Sequence, residues 1–320
     1  MGLARTLAAA GLLLIECEQP SRKQRRGKGK SDPIDAHLAV LAALRCDADR
    51  LPAPRADGDR ETLRILLNAR HDLTVASTAQ TNRLRALLLS GEDSDRRAAR
   101  GALTATALTV LAHREPPAGT GRDHAVRDGE IRRLALAVQQ ARLDLATNRK
   151  QLLAIVEDIA PGITSRYGVG PVSAAQAVVG FSHPGRCRNE AAFAALSGTS
   201  PVPASSGRTV RHRLNRGGDR ALNRAIHAIA LTRMRGCERT RAYVERRTAE
   251  GKSPREIRRC LKRYIARELY RQLTRSMKPP VRRVRRLGVR VPSGAQVVSR
   301  AYSWLAMCRA AVWVRCGSRW

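Results

Sequence analysis

Ile131, Leu134, Val138, Ala141, Leu145, Asn148, Leu152, Ile155 and Ile159 recur at alternating intervals of three and four residues. That spacing keeps one apolar seam on a single side of an α-helix for about four heptads, and a seam so long must be covered. Its partner is a second helix of the same chain, a second copy of the chain, or the floor of a helical bundle. A candidate within the chain runs from about Arg60 to Ser90, where Leu63, Leu66, Leu67, Leu73, Leu84, Leu87 and Leu88 fall largely on one face. The single polar residue of the seam, Asn148, is the type that fixes register at some cost in stability.

Around this pair the punctuation is clear. Residues 3–10 have a helical pattern, Leu12–Ile15 a short buried strand, and a further helix begins near Ser31. Leu51-Pro52-Ala53-Pro54 breaks the chain, and residues 91–127, rich in Gly, Asp and Arg, lose their pattern after Val110. Tyr167-Gly168-Val169-Gly170-Pro171 opens a helix over Val172–Val179, and helices follow at about 219–235 and 239–250. Ser253, Pro254 and Glu256 form a capping box ahead of an apolar face of Ile257, Leu261, Ile265 and Leu269. The segment 277–320, with a Pro- and Arg-rich stretch and all three tryptophans, has weak fold signals and reads as a basic tail.

Lys and Arg number 60 against 27 Asp and Glu, a formal charge of +33. Self-repulsion on that scale is relieved by a polyanion, and nucleic acid gripped through its phosphates is the partner that follows. Aromatic residues make up only 3%, too few for a single-strand binder built on base stacking. Cysteines 17, 46, 187, 237, 260, 308 and 316 form no C-x-x-C pair, which points away from zinc and from a disulfide framework and towards a reducing cytoplasm. Arg5 before the apolar run Leu7–Ile15 imitates a signal peptide, but Glu16 and Glu18 follow at once. No run reaches the roughly 18–20 apolar residues that span a bilayer, so no membrane partner is expected.

Four places carry candidate chemistry. In residues 200–224, Ser205 and Ser206 precede Gly207, arginines stand at 208, 211, 213 and 216, and Gly217-Gly218-Asp219 opens a helix. A hydroxyl on a tight turn among phosphate-binding groups suits a nucleophile that attacks a nucleic-acid backbone; the plainer reading is a basic hairpin that only grips phosphates. His212 is placed either to assist proton transfer or to pack on the hairpin. Asp32 and Asp35, three apart at a helix start, converge as a Mg²⁺ pair or act as an N-cap with a dipole-complementing acid, Pro33 filling the first helical position. Gly168 and Gly170 resemble a helix-hairpin-helix turn whose backbone N–H groups receive a phosphate. The loop Arg22–Lys30, with Lys28 and Lys30, is a phosphate contact or a solvated charge run.

Several segments together resemble the transposases of the insertion-sequence 110/116/902 family, relatives of the Piv DNA invertases. They are GKSDPIDA (29–36), LPAPRADG (51–58), TNRLRALLL (81–89), GVGPVSA (168–174), EAAFAALSGTSPVPASSG (190–207), RHRLNRGGDRALNRA (211–225) and KRYIARELY (262–270). The resemblance implies a mainly α chain with a small α/β part. A RuvC-like, RNase H-type remnant and its exit helix would occupy 1–90, and a linker with a coiled-coil helix 91–160. A helical C-terminal transposase domain would take 161–276, and the basic tail 277–320. It further implies Mg²⁺ on an Asp-Glu-Asp-Asp set whose last two acids match Asp32 and Asp35. A serine nucleophile would be Ser206, with Ser205 the close second because the doubled serine blurs the register. Double-stranded DNA at element ends and target, a guide RNA from the element, a homo-oligomer and a nucleoid-associated cytoplasmic location complete the expectation.

The family's first Asp and its Glu belong ahead of Gly2, and no Asp or Glu precedes Glu16. The expectation is therefore an N-terminally truncated or misassigned frame with an incomplete acid set, weak Mg²⁺ binding and impaired recombination. The alternatives are a non-catalytic nucleic-acid-binding remnant and, in a third class, a structural coiled-coil scaffold.

Overall fold

In the computed structural model the described residues are 6–7, 9–10, 14–15, 31–44, 54, 58–115, 121–203, 212–213, 215 and 217–277. They are mostly helical and fall into two units: Gly58–Phe181 with Asn189–Ser276, and the described parts of Met1–Asp57 with Ser182–Arg188 and Met277.

In the second of these units α1 spans Asp32–Leu44. The Ser31 carbonyl accepts from Asp35 N at 3.0 Å, so the cap lies at Ser31, one residue before the expected Asp32. Thr6, Leu7 and Ala9 are helical, in keeping with the expected helix there, whereas Leu14 and Ile15 are irregular and half-buried; Leu12 and Leu13 lie outside the described residues. Among the described residues the sole sheet is a two-stranded one, found elsewhere in the chain.

The larger unit begins with α2 (Asp59–Leu89, 31 residues) and is dominated by its pairing with α5 (Arg122–Ile159, 38 residues). At 1.5 Å per residue they are about 47 and 57 Å long. Asn148 Nδ2 donates to Leu66 O at 3.0 Å, Arg70 Nη1 to Leu145 O at 2.9 Å, and Arg127 Nη1 to Ser90 Oγ at 2.9 Å. Numbers rising on one helix as they fall on the other make the pair antiparallel. Within the chain the seam is covered by α2 together with the shorter helices at its two ends. Asn148 is buried, and its amide reads the α2 backbone directly, which sets the register. The middle of α2 is thinner: no side chain between Leu63 and Leu84 is fully buried.

Where α2 ends, α3 (Asp93–Arg100) and α4 (Ala105–Ala112) close a separate apolar core of Leu84, Leu88, Ala99, Leu108, Ile131 and Leu134 among others. Thr104 caps α4, its Oγ1 accepting from Ala107 N at 3.1 Å, and Arg96 pairs with Asp93 within the first turn of α3. Their eight-residue length carries barely two turns of period, so the sequence reading of 91–127 does not resolve them as helices.

At the other end, α6 (Pro171–Phe181) is covered by α2, α5, α8 (Arg220–Gly236) and α10 (Pro254–Ser276). Ala174, Ala175, Ala177 and Val178 are small enough to admit those neighbours and are wholly buried. Phe181 meets Phe193 of α7 (Glu190–Leu196) at 5.9 Å and Tyr270 of α10 at 5.8 Å, both edge to face. α9 (Glu238–Ala249) joins α8 to α10. The capping box ahead of α10 is formed: Ser253 N donates to Glu256 Oε2 at 2.9 Å and Glu256 N to Ser253 Oγ at 3.4 Å. Ile257, Leu261, Ile265 and Leu269 are buried as their spacing requires. Among the described residues no helix is long and apolar enough to cross a membrane.

Candidate nucleic-acid interface

Between α7 and α8 the chain makes a hairpin. Its strands β1 (Val202–Pro203) and β2 (His212–Arg213) pair antiparallel, Val202 opposite Arg213 and Pro203 opposite His212. Ser205, Ser206, Arg208 and Arg211 lie between the strands and outside the described residues, as does Arg216 beyond β2. Arg213 is described and exposed.

The hairpin's stem is built from residues that only small side chains allow. Gly198 has φ +64°, and a Cβ on Gly218 would stand 2.2 Å from Gly198 N. With the backbones in direct contact, Asp219 N donates to Leu196 O at 2.7 Å and Asn223 Nδ2 to Ser197 O at 2.7 Å. Asp219 then caps α8, accepting from Ala221 N at 2.8 Å and Leu222 N at 3.0 Å. Below the stem, Lys262 Nζ of α10 donates to Asn223 Oδ1 at 2.5 Å. Burial pushes the Lys262 ammonium down. Burial also lowers His227, helped by the neighbouring charges of Lys262 and Arg258. The mouth through which the chain enters and leaves 204–211 is thus fixed by backbone contact on a basic floor.

The second feature is the turn before α6. Gly168 has φ +80°, open to glycine and costly for other residues, and its backbone lies on α8. A Cβ there would be 3.3 Å from Ile229 O. An open cleft of about 520 Å³ adjoins the turn, lined by Arg149, Thr164, Ser165, Gly170, Val172 and Ser173 among others. Ala174 N donates to Gly170 O at 2.9 Å, so Gly170 caps α6 with no side chain of its own. The first N–H-bearing residues of α6, Val172 and Ser173, therefore face the cleft, beside a guanidinium and two hydroxyls. This is a shape that receives an anion.

Glu268 of α10 ties the turn down. It accepts from Arg166 Nη1 at 2.9 Å and from Arg233 Nη1 at 2.7 Å, while Arg233 Nε donates to Tyr167 O at 2.9 Å. Burial alone would raise the Glu268 carboxyl, but the hydrogen bonds and charges of Arg233 and Arg166 outweigh it and hold it below the usual range. A carboxyl depressed in the folded state stabilises above the ordinary glutamate pKa, about 4.3, and loses that contribution as pH falls further. Glu268→Gln is expected to cost about 2 kcal/mol at pH 7, allowing for partial exposure. Urea midpoints at pH 7 and pH 3.5 check it: the gap between wild type and variant should narrow in acid, and an unchanged gap would refute the assignment.

The acidic pair is placed in the other unit, so hairpin and acids are not related here. Asp32 is exposed and Asp35 buried in the first turn of α1. Among the described residues no group of three or more His, Cys, Asp or Glu side chains is arranged to hold a metal ion. Lys28 and Lys30 lie outside the described residues. Two residues the sequence did not single out belong to the site: Asn223 and Lys262. Both stand inside the quoted RHRLNRGGDRALNRA and KRYIARELY segments, but nothing in their local spacing shows that they meet.

The helical unit presents a pinned basic hairpin and a glycine-turned helix start. Residues 161–245 match the family described as Transposase IS116/IS110/IS902 family. The match takes in the glycine turn, α6, α7, the hairpin, α8 and most of α9. No match was found among curated proteins.

Proposed function

We propose that the chain is a DNA transposase that joins strands through a serine on the α7–α8 hairpin, with Ser206 the nucleophile and Ser205 its neighbour in reserve. The observation that carries this reading is the stem: contact between Gly198 and Gly218 holds both ends of a short segment containing Ser205, Ser206, Arg208 and Arg211. A serine so presented attacks phosphorus in line. A new Oγ–P bond forms, the bond to the 3′ oxygen breaks, the serine proton leaves to a base, and the released 3′ oxygen takes up a proton. Arg208, Arg211 and Arg213 neutralise charge on the crowded phosphate, and Arg216 follows them towards the stem. Gly168 and Gly170 supply a second, helix-hairpin-helix-like phosphate contact, and Lys28 and Lys30 a third. The duplex includes element ends and target; a structured RNA from the element and self-association complete the proposal.

Asp32 and Asp35 are hard oxygen donors of the kind Mg²⁺ takes, one at the surface and one behind it, and with phosphate and water they match its habit of using one or two carboxylates. When bound, the ion supplies positive charge at the scissile phosphate.

The test is a covalent-adduct and strand-joining assay on Ser205→Ala, Ser206→Ala and the double variant. The double variant is expected to lose adduct and joined product by about 10³-fold or more while still binding duplex DNA. Joining that survives in the double variant would leave only the binding role.

A further inference from the structure

Arg255, Arg259, Arg263, Arg267, Arg271 and Arg275 recur every fourth residue along α10, from its first turn to its last. The buried side chains Ile257, Leu261, Ile265, Leu269 and Leu273 recur at the same interval. Each step of four advances about 6 Å and turns about 40° beyond a full rotation. Two stripes of equal interval wind together, and each arginine stands about half a turn from the apolar residues two before and two after it. The arginines therefore wind opposite the buried stripe for about 30 Å, half-buried in the middle at Arg263 and Arg267. Arg255, Arg259, Arg271 and Arg275 are exposed.

The six arginines outnumber the carboxylates placed near them. Of the two carboxylates of α10, Glu268 is engaged by Arg166 and Arg233, and Glu256 closes the capping box with Arg259 nearby. Glu190 of α7 meets three of the six, reaching Arg263 at 3.7 Å, Arg267 at 2.9 Å and Arg271 at 3.5 Å. One negative charge serves three guanidiniums, and Arg263 Nη1 is buried with no hydrogen-bond partner among the described residues. The ridge also lies beyond residues 161–245, so the family match does not account for it.

We propose that the arginine ridge of α10 is a docking surface for the phosphate backbone of duplex DNA, separate from the hairpin and the glycine turn. The choice of partner rests on the DNA-handling reading above. Charge complementarity supports the surface: the arginines climb about 6 Å per step and wind with the helix over about 30 Å, nearly the length of one duplex turn. Arginine rather than lysine suits it, because the planar guanidinium grips phosphate with two parallel hydrogen bonds.

The test uses the full chain carrying Ser205→Ala and Ser206→Ala, so that binding is read without strand joining and the serine reading is not at stake. Arg255→Gln, Arg259→Gln, Arg271→Gln and Arg275→Gln are combined; Arg263 and Arg267 stay to hold Glu190. A control set combines Arg83→Gln, Arg85→Gln, Arg97→Gln and Arg100→Gln, giving the same loss of charge on exposed positions of α2 and α3. Affinity for a 40-base-pair duplex DNA of arbitrary sequence is measured across salt, with thermal melting to confirm that each variant is folded. The ridge set should lower the slope of log affinity against log salt by about 3–4, and the control set by less than about one. Equal slopes in the two sets, or a ridge set like the parent, overturns the proposal. A loss larger on duplex RNA of equal length than on DNA overturns the choice of DNA.

Discussion

Replacing Arg114 with methionine should destabilise the helical pair at its α3–α4 end by about 3–5 kcal/mol. Arg114 stands between Asp95 of α3 and Asp128 of α5, hydrogen-bonded to the first and 2.9 Å from the second. The two carboxylate side chains are only 5% and 6% exposed. Removing the guanidinium leaves two buried negative charges with their shared cation gone, far worse than losing an exposed ion pair. The same core holds Leu84, Leu88, Ile131 and Leu134, so its loosening should spread along α2 and α5. Chemical denaturation gives the first reading, and the triple variant Arg114→Met, Asp95→Asn, Asp128→Asn gives the control. It should recover much of the loss, because neutral amides no longer repel. A cost below about 1 kcal/mol for Arg114→Met alone would mean that the three charges are not coupled as the geometry states.

Gly218→Val should act on the hairpin and leave that core untouched. The Cβ of any larger residue would sit 2.2 Å from Gly198 N, 2.5 Å from Gly198 Cα and 2.9 Å from Leu196 O. All three are backbone atoms, so no side chain can swing aside and the stem itself must part. Parting it breaks the bond from Asp219 N to Leu196 O and the bond from Asn223 to Ser197 O. The expected cost is about 3 kcal/mol, at the upper end for overpacking, concentrated in faster amide exchange at Asp219 and Asn223. Strand joining should fall with it, while duplex binding through the exposed arginines of α10 persists. A variant that joins strands at the parental rate would detach the stem from the reaction.

Much of this architecture is written in local patterns. The seam from Ile131 to Ile159 and the leucines of α2 announce two long helices because a 3.5-residue period repeats often enough to exclude chance. The ends of α8 and α10 are readable because Asp219, Ser253 and Glu256 bond to residues two or three away. The hairpin was legible from serine, glycine and arginine in sequence, though its stem was not. Asn215, Asn223 and Lys262 look like any polar residues on a basic stretch until the chain brings α7, α8 and α10 together. The short helices α3 and α4 escaped for a related reason: eight residues carry barely two turns of period, and their identity comes from the core they close.

The sequence by itself determined the helical class, the position of the two long helices, the starts of α8 and α10, the excess positive charge and the residues that resemble a transposase. Those properties depend on contacts within a few residues or on sums over the whole chain. Tertiary structure alone decided that the seam pairs with α2 antiparallel, that Gly198 and Gly218 meet, and that Arg114 neutralises two carboxylates. It also decided that Arg255, Arg259, Arg271 and Arg275 of α10 are exposed while Arg263 and Arg267 pack against Glu190. Each of these depends on residues distant in the chain arriving within a few ångströms, and close packing, not local preference, selects which pairs those are.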